Sequence, residues 1–432
     1  METKKLDVTK RYKTLKAIHY LAAVAIFLSG IYMSASVAEL LNHAIPFRLK
    51  YISQNVNYHA LQAYAQTPEL LKLPPLPNIE TEDISTTIDY RPSSNFRDWI
   101  VPYVFLQENI IVMAYHEGIL WARQNQTGIL LQSTNHGGNW AYIYKFENPV
   151  RAIYLNEHGV IFVSTTVDRW SPTPTGAIHR SYDGGETFHT VLSGMSGAAE
   201  HWNIASNDNI MFISEYGFKG RGDNARRIYR SIDWGITWQI VFDPGRIYNY
   251  HHHRILITDD GIVYQAIGDG INARIIRSQD NGASWQTVVT GYQPTSAIAF
   301  DTHILWGLDG GPYYGVMRYC RSTGAITRSF TTPEPFGSSN YDMLYVNGVV
   351  YAMFLSYGHI RYTHPGSIFF SRDEGITWEL LGYIEKSHGW GIGLYSIVSD
   401  GTYAYVNIST LIYHDGIRER NFYGTLRFKL IS

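Results

Sequence analysis

Cysteine is almost missing from this chain. Cys320 is the only one among 432 residues, so no internal disulfide can staple the fold and an apolar core must hold it. With no base placed beside it by any motif, that lone thiol reads as a small buried apolar residue and not as a nucleophile. Net charge is nearly missing as well, with 35 basic against 37 acidic residues and a formal charge of −2. A nucleic-acid binder needs a clustered basic surface, and none is legible beyond the first sixteen residues. There Lys4, Lys5, Lys10, Arg11, Lys13 and Lys16 face only Glu2 and Asp7. Charge is wholly missing from residues 17–38, which contain no Asp, Glu, Lys or Arg. At about 1.5 Å per residue that stretch is long enough to span a bilayer. The basic flank before it predicts a cytoplasmic N-terminus and an exported remainder. Ser36-Val37-Ala38 leaves a cleaved signal peptide as the rival reading. Either way the bulk of the chain is expected outside the cytoplasm, at a cell or virion surface.

What the chain has in abundance is aromatic residues and glycine: 33 Tyr, 11 Trp and 38 Gly. That combination suits short strands joined by tight turns. The expected organisation is a basic tail over 1–16, a transmembrane signal-anchor helix over 17–38, and a stalk over 39–95 stiffened by Leu73-Pro74-Pro75-Leu76-Pro77. An all-β domain follows over 96–432. Asn125-Gln126-Thr127 and Asn407-Ile408-Ser409 are glycosylation sequons.

An internal repeat sets the architecture of the large domain. A template of Ser-x-Asp/Asn-x-Gly-x-x-aromatic recurs at Ser133/Gly137/Trp140, Ser181/Gly185/Phe188, Ser231/Gly235/Trp238, Ser278/Gly282/Trp285 and Ser371/Gly375/Trp378, with a worn copy at Ser322-Thr323-Gly324. The glycines are 48, 50, 47, 42 and 51 residues apart, the length of one four-stranded blade. The short Asp or Asn side chain can hold a tight turn, Gly supplies its positive φ, and the aromatic can pack between blades. The pattern resembles the Asp-box (BNR) repeat of sialidase-like β-propellers. That resemblance implies that the box joins the third and fourth strands of a blade and serves folding, not catalysis.

Counting blades predicts seven, with six as the alternative. First strands are expected near Val101, Val150, His201, His252, Ser296, Tyr341 and Leu394. The last blade ends on Gly424–Leu430 without a fourth strand, and Ile84–Tyr90 is the expected closing strand. Strand alternation would place loops opposite the boxes around one mouth. Candidate catalytic residues there are Glu215, Asp269, Asp309, His201, His252 and Tyr395. Candidate ligand-binding residues are His116, Glu117, Glu200, Trp202, His251, His253, His388 and Trp390. In the run His251-His252-His253, alternate side chains of a strand point oppositely, so at most two share a face. No metal site and no cofactor are expected.

Set against the sialidase pattern, the match is incomplete. Trp99-Ile100-Val101-Pro102 puts Ile100 where the resemblance would require the carboxylate-gripping Arg. No Asp follows His116-Glu117 where the acid/base residue would lie. Glu200 and Tyr395-Ser396 are the matches that remain. Three functions stay open. The first is glycan or polysaccharide recognition at a membrane-anchored surface. The second is a carbohydrate-active enzyme: a hydrolase needs two carboxylates about 5–10 Å apart, for which Glu215, Asp269 and Asp309 are available, whereas a lyase needs a base and an acid, for which His201, His252 and Tyr395 are. The third is a protein-interaction scaffold. The oligomeric state is not legible.

Overall fold

A computed structural model describes residues 96–97 and 100–431, apart from position 172 and the segments 218–224, 246–249, 311–313, 334–335, 337–338, 356–364, 385–389 and 415–416. The expected tail, anchor, stalk and closing strand at 84–90 lie outside the described residues. Among those described, no helix is long and apolar enough to cross a membrane.

The large domain is an all-β propeller of seven blades. Seven antiparallel sheets follow in chain order, spanning 110–145, 150–195, 204–242, 252–290, 293–330, 339–384 and 390–429. First strands neighbour one another around the axis except between blades 2 and 3, and the first strand of blade 7 packs on that of blade 1. A one-turn 3-10 helix, His201–Asn203, bridges blades 2 and 3 at the start of the third blade.

Ring closure differs from expectation. The fourth strand of blade 7 is Tyr103–Phe105, in register Tyr103↔Phe428, Val104↔Arg427 and Phe105↔Leu426. Blade 1 therefore begins at Ile110, not near Val101. Five strand-like runs lie between Val101 and Lys145, one more than a blade needs. The first of them covers the outer backbone edge of the strand Ile417–Lys429 of blade 7. Phe96–Arg97 likewise adds a fifth strand to blade 6.

Apolar residues fall into seven clusters, one in each gap between neighbouring blades. The repeat aromatics fill these gaps as their position implies. Phe188 meets Phe146 of blade 1 at 4.9 Å, and Trp378 stacks on Phe330 of blade 5 at 5.2 Å. Trp306, on the second strand of blade 5, is wholly buried between blades 4 and 5; truncating a residue of this kind costs about 3–5 kcal/mol.

The repeat turns show why their sequence recurs. In blade 3, Ser231 Oγ accepts from Gly235 N at 2.9 Å and donates to Asp233 Oδ1 at 2.7 Å, and Thr237 N donates to the same oxygen at 2.9 Å. Matching bonds close the turns at Asn135, Asp183, Asp280 and Asp373. Gly235 has φ +75°, and a Cβ there would lie 2.3 Å from the Phe162 ring of blade 2. The worn turn of blade 5 lacks the carboxylate clamp; Gly324 N donates to Cys320 O at 2.9 Å and Ala325 N to Thr323 Oγ1 at 3.2 Å. Cys320 is only half-buried, not the core residue expected. Hydrogen bonds from Ser322 and Thr323 hold its thiol down to about 6.

Candidate functional site

Antiparallel blades put the connections between strands one and two at the same end as the repeat turns. The opposite end gathers the connections between strands two and three and those between blades. This sorts the candidates. His116 and Glu117 form the hairpin between the first two strands of blade 1, so they lie at the repeat-turn end and not at the mouth; the displaced start of blade 1 is the cause. His388 lies outside the described residues, and Trp390 is described only as the first residue of the strand Trp390–Ser399.

Two candidates occupy structural positions. Glu215 is fully buried. It accepts four hydrogen bonds, from Ser196 N and Tyr229 OH at 2.9 Å and from Arg226 N and Arg227 N at 3.0 Å. Its lone pairs are spent on holding the segment at 226–227 against blade 3. His252 is also fully buried and faces Arg226 O at 2.5 Å. Burial, with the carbonyl only partly offsetting it, depresses its imidazole to about 3. Asp309 is buried as well, with the Gln293 amide 3.5 Å from its Oδ2.

The remaining candidates meet at the mouth, together with the loop residue Arg169 and with strand charges that the loop-based reading passed over. Arg151 is the second residue of the inner strand Val150–Leu155, and Arg123 the second-last of Ile119–Gln124. Both therefore sit at the mouth end of their strands. With Arg169, from the loop after strand two of blade 2, they surround Glu200. Arg169 Nη1 forms an ion pair with Glu200 Oε1, and its guanidinium lies 5.2 Å from the Trp170 ring and 5.4 Å from the Tyr216 ring. Burial works against the Glu200 carboxylate, yet Arg169 and Arg151 together hold it below its usual range. Burial and the like charge of Arg151 lower Arg123 to about 10, so it stays cationic at neutral pH. The Nε atoms of Arg123 and Arg151 are buried without a hydrogen-bond partner, although both side chains keep some contact with solvent. Three guanidiniums against the paired Glu200 carboxylate and the exposed Asp168, which also acts on Arg151, leave this wall with a surplus positive charge.

Adjoining these arginines are a buried carboxylate and a row of aromatics. Asp342, on the inner strand of blade 6, accepts from Met343 N at 3.0 Å and from Ile397 N of blade 7 at 3.1 Å. His201 Nε2 lies 3.2 Å from its Oδ2, and Arg254 Nη1 3.9 Å from its Oδ1. Burial raises Asp342, but His201 and Arg254 outweigh it and keep the carboxyl ionised. Trp202 packs edge-on against His201 at 4.6 Å, Tyr216 at 5.4 Å and Tyr341 at 6.0 Å. Tyr395 continues the row, 6.1 Å from Tyr341 and stacked on Tyr423 at 6.4 Å. His251 and His253 lie beyond Tyr216, 4.7 and 5.9 Å away, with Asp269 beside them.

Three of the missed residues had one signal in common. Arg151, Arg254 and Asp342 are charges set inside apolar inner strands, as in Val150-Arg151-Ala152-Ile153. A charge there faces the axis or a neighbouring blade and needs a reason. Of the sequons, Asn407 is buried and donates to Val112 O and Ser396 Oγ at 2.6 Å, which leaves its amide unavailable in the folded domain.

No family model matches the chain. A xyloglucanase from a Paenibacillus species is 27% identical over 257 residues, covering 50% of this chain and 24% of that protein. Among solved structures, a GH74 enzyme of Niastella koreensis superposes with a TM-score of 0.50 at 16% identity, over 73% of this chain and 53% of that one. The extracellular domain of a protein described as a hybrid two-component system of B. thetaiotaomicron gives 0.51 at 12% identity, over 77% and 40%. The chain thus spans about a quarter of the length of the curated relative and about half or less of these structures. It is a β-propeller whose neighbours in sequence and fold include glycoside hydrolases.

Proposed function

We propose that the chain is a membrane-anchored, extracytoplasmic Asp-box propeller whose mouth recognises an acidic glycan. The observation that carries this reading is the Arg123, Arg151 and Arg169 group, three guanidiniums about the buried Glu200 and the exposed Asp168, beside Trp202, Tyr216 and Tyr341. Guanidinium forks match carboxylate or sulfate groups, and aromatic faces and edges suit sugar rings. The xyloglucanase and GH74 neighbours support a carbohydrate ligand. The repeat turns and the N-terminal charge pattern support the Asp-box and export parts of the reading.

A carbohydrate-active enzyme is the second reading. A hydrolase needs a carboxyl kept protonated as general acid. Glu200 and Asp342, the mouth carboxylates with a resolved direction, are both held ionised, and Glu215 is spent on backbone bonds. A lyase fits the geometry better. Asp342 beside His201 would orient a base, and the arginines would neutralise a uronate carboxylate.

The test is glycan-array binding by the full-length protein in detergent, followed by mass spectrometry of any products. Binding to uronate- or sialate-bearing glycans, and not to neutral ones, is expected. Equal binding to neutral xyloglucan would overturn the acidic reading, and unsaturated products would turn recognition into lysis. Protease accessibility of the propeller in intact cells tests the topology; protection would refute export.

A further inference from the structure

Three consecutive histidines open blade 4, and strand geometry separates them. His252 turns into the gap towards blade 3. His251 and His253 turn together to the other side, with ring centroids 4.8 Å apart and Nε2 atoms 2.8 Å apart. Asp269 comes from the loop after strand two of the same blade. Its Oδ1 lies 3.7 Å from His251 Nε2 and 3.8 Å from His253 Nε2. Gly268 lets that loop approach so closely, because a Cβ there would fall 2.5 Å from the His251 ring. His253 Nδ1 faces Pro294 O at 2.9 Å. A carbonyl only accepts, so in the neutral ring Nδ1 carries the proton and Nε2 presents its lone pair to the cluster. A backbone carbonyl that fixes the tautomer in this way is the usual support of a metal-bound imidazole.

The three distances define a triangle whose centre lies about 2.0 Å from every corner, which is the zinc–nitrogen and zinc–carboxylate distance. That radius is short for calcium, which takes oxygens at about 2.3–2.6 Å, and imidazole donors favour zinc and its transition-metal neighbours. Both histidines are buried, whereas Asp269 keeps 24% of its side chain in solvent, so an ion has a way in.

We propose that His251, His253 and Asp269 bind a divalent transition-metal cation of the zinc class, with the remaining coordination positions left to water or to a ligand of the mouth. The assignment does not rest on the glycan reading, since its geometry and its test involve no sugar. The competing account is a direct hydrogen bond between the two imidazoles with no ion.

The experiment uses full-length protein in detergent, purified without a polyhistidine tag, stripped with EDTA and titrated with Zn2+. Calorimetry gives affinity, elemental analysis after desalting gives stoichiometry, and thermal melts in EDTA check that each variant is folded. About one zinc per chain is expected for the wild type, unaffected by excess Mg2+ or Ca2+. Asp269→Asn and His253→Gln should each weaken binding at least tenfold. His158→Ala is the control, because Glu157, His158 and Asp208 form an exposed cluster at the repeat-turn end. Its stoichiometry should not change. Absence of zinc from folded wild-type protein, binding untouched by Asp269→Asn and His253→Gln, or binding lost in His158→Ala would each overturn the assignment.

Discussion

Arg151→Met separates a binding role from a folding role at the mouth. Arg151 has a buried Nε with no partner and stands beside the like charge of Arg123. Removing it relieves desolvation and repulsion while losing some attraction to Glu200, so the net change in stability should stay within about 1 kcal/mol, or roughly 2 °C in Tm for a domain of this size. A charge-assisted hydrogen bond to a ligand anion contributes about 1.5–3 kcal/mol, so Kd for an acidic glycan should rise about 10–150-fold. Arg169→Met should show the reverse emphasis. It strips the partner from the buried Glu200 carboxylate, which costs about 3 kcal/mol of stability. Differential scanning calorimetry and titration with an oligouronate measure both quantities on the same samples. The reasoning fails if Arg151→Met melts as early as Arg169→Met while its affinity is unchanged.

Three further outcomes follow from the fold. Glu215→Gln turns an amide donor towards backbone N–H groups that Glu215 now accepts from, and should cost about 3 kcal/mol in urea unfolding; a loss below 1 kcal/mol would contradict the clamp. Gly235→Ala drives a Cβ into Phe162 at φ +75° and should destabilise by about 2 kcal/mol or more, whereas the same change at Gly184, with nothing within 4 Å, meets only the backbone strain. The repeat-turn carboxylates predict acid lability. Burial raises Asp233 and Asp373, but the hydrogen bonds from Thr237 and Thr377 outweigh it and bring both to about 2; at Asp280 the Ser284 hydroxyl leads, with the same result. Groups depressed on folding stabilise fully above their ordinary value near 3.8 and lose that contribution as pH falls through about 2. The urea midpoint should therefore drop between pH 4 and pH 2.5. Asp233→Asn, which copies the Asn135 turn of blade 1, should flatten that drop; a midpoint independent of pH in the wild type would refute it.

The repeat made most of the fold legible. A turn that spends its own Ser, Asp and Gly on local hydrogen bonds writes its chemistry into consecutive residues, so the seven-bladed count and the burial of the repeat aromatics between blades could be read in one dimension. The alternation of strand residues likewise foretold that only two of the three histidines from His251 to His253 would share a face. Ring closure was harder to read, because Tyr103–Phe105 pairs with Leu426–Phe428 over some three hundred residues and local sequence does not say which run will serve a distant edge. The mouth was harder still. Arg123, Arg151 and Glu200 come from different strands and loops of two blades, and each is an ordinary residue in its own segment. Only the packing of neighbouring blades brings their charges close enough to fix one another's ionisation, whereas Asp269 reaches the histidine pair within blade 4, through the pairing of its first two strands. Local hydrogen bonding determined the blades, whereas long-range packing decided which charges share the axis.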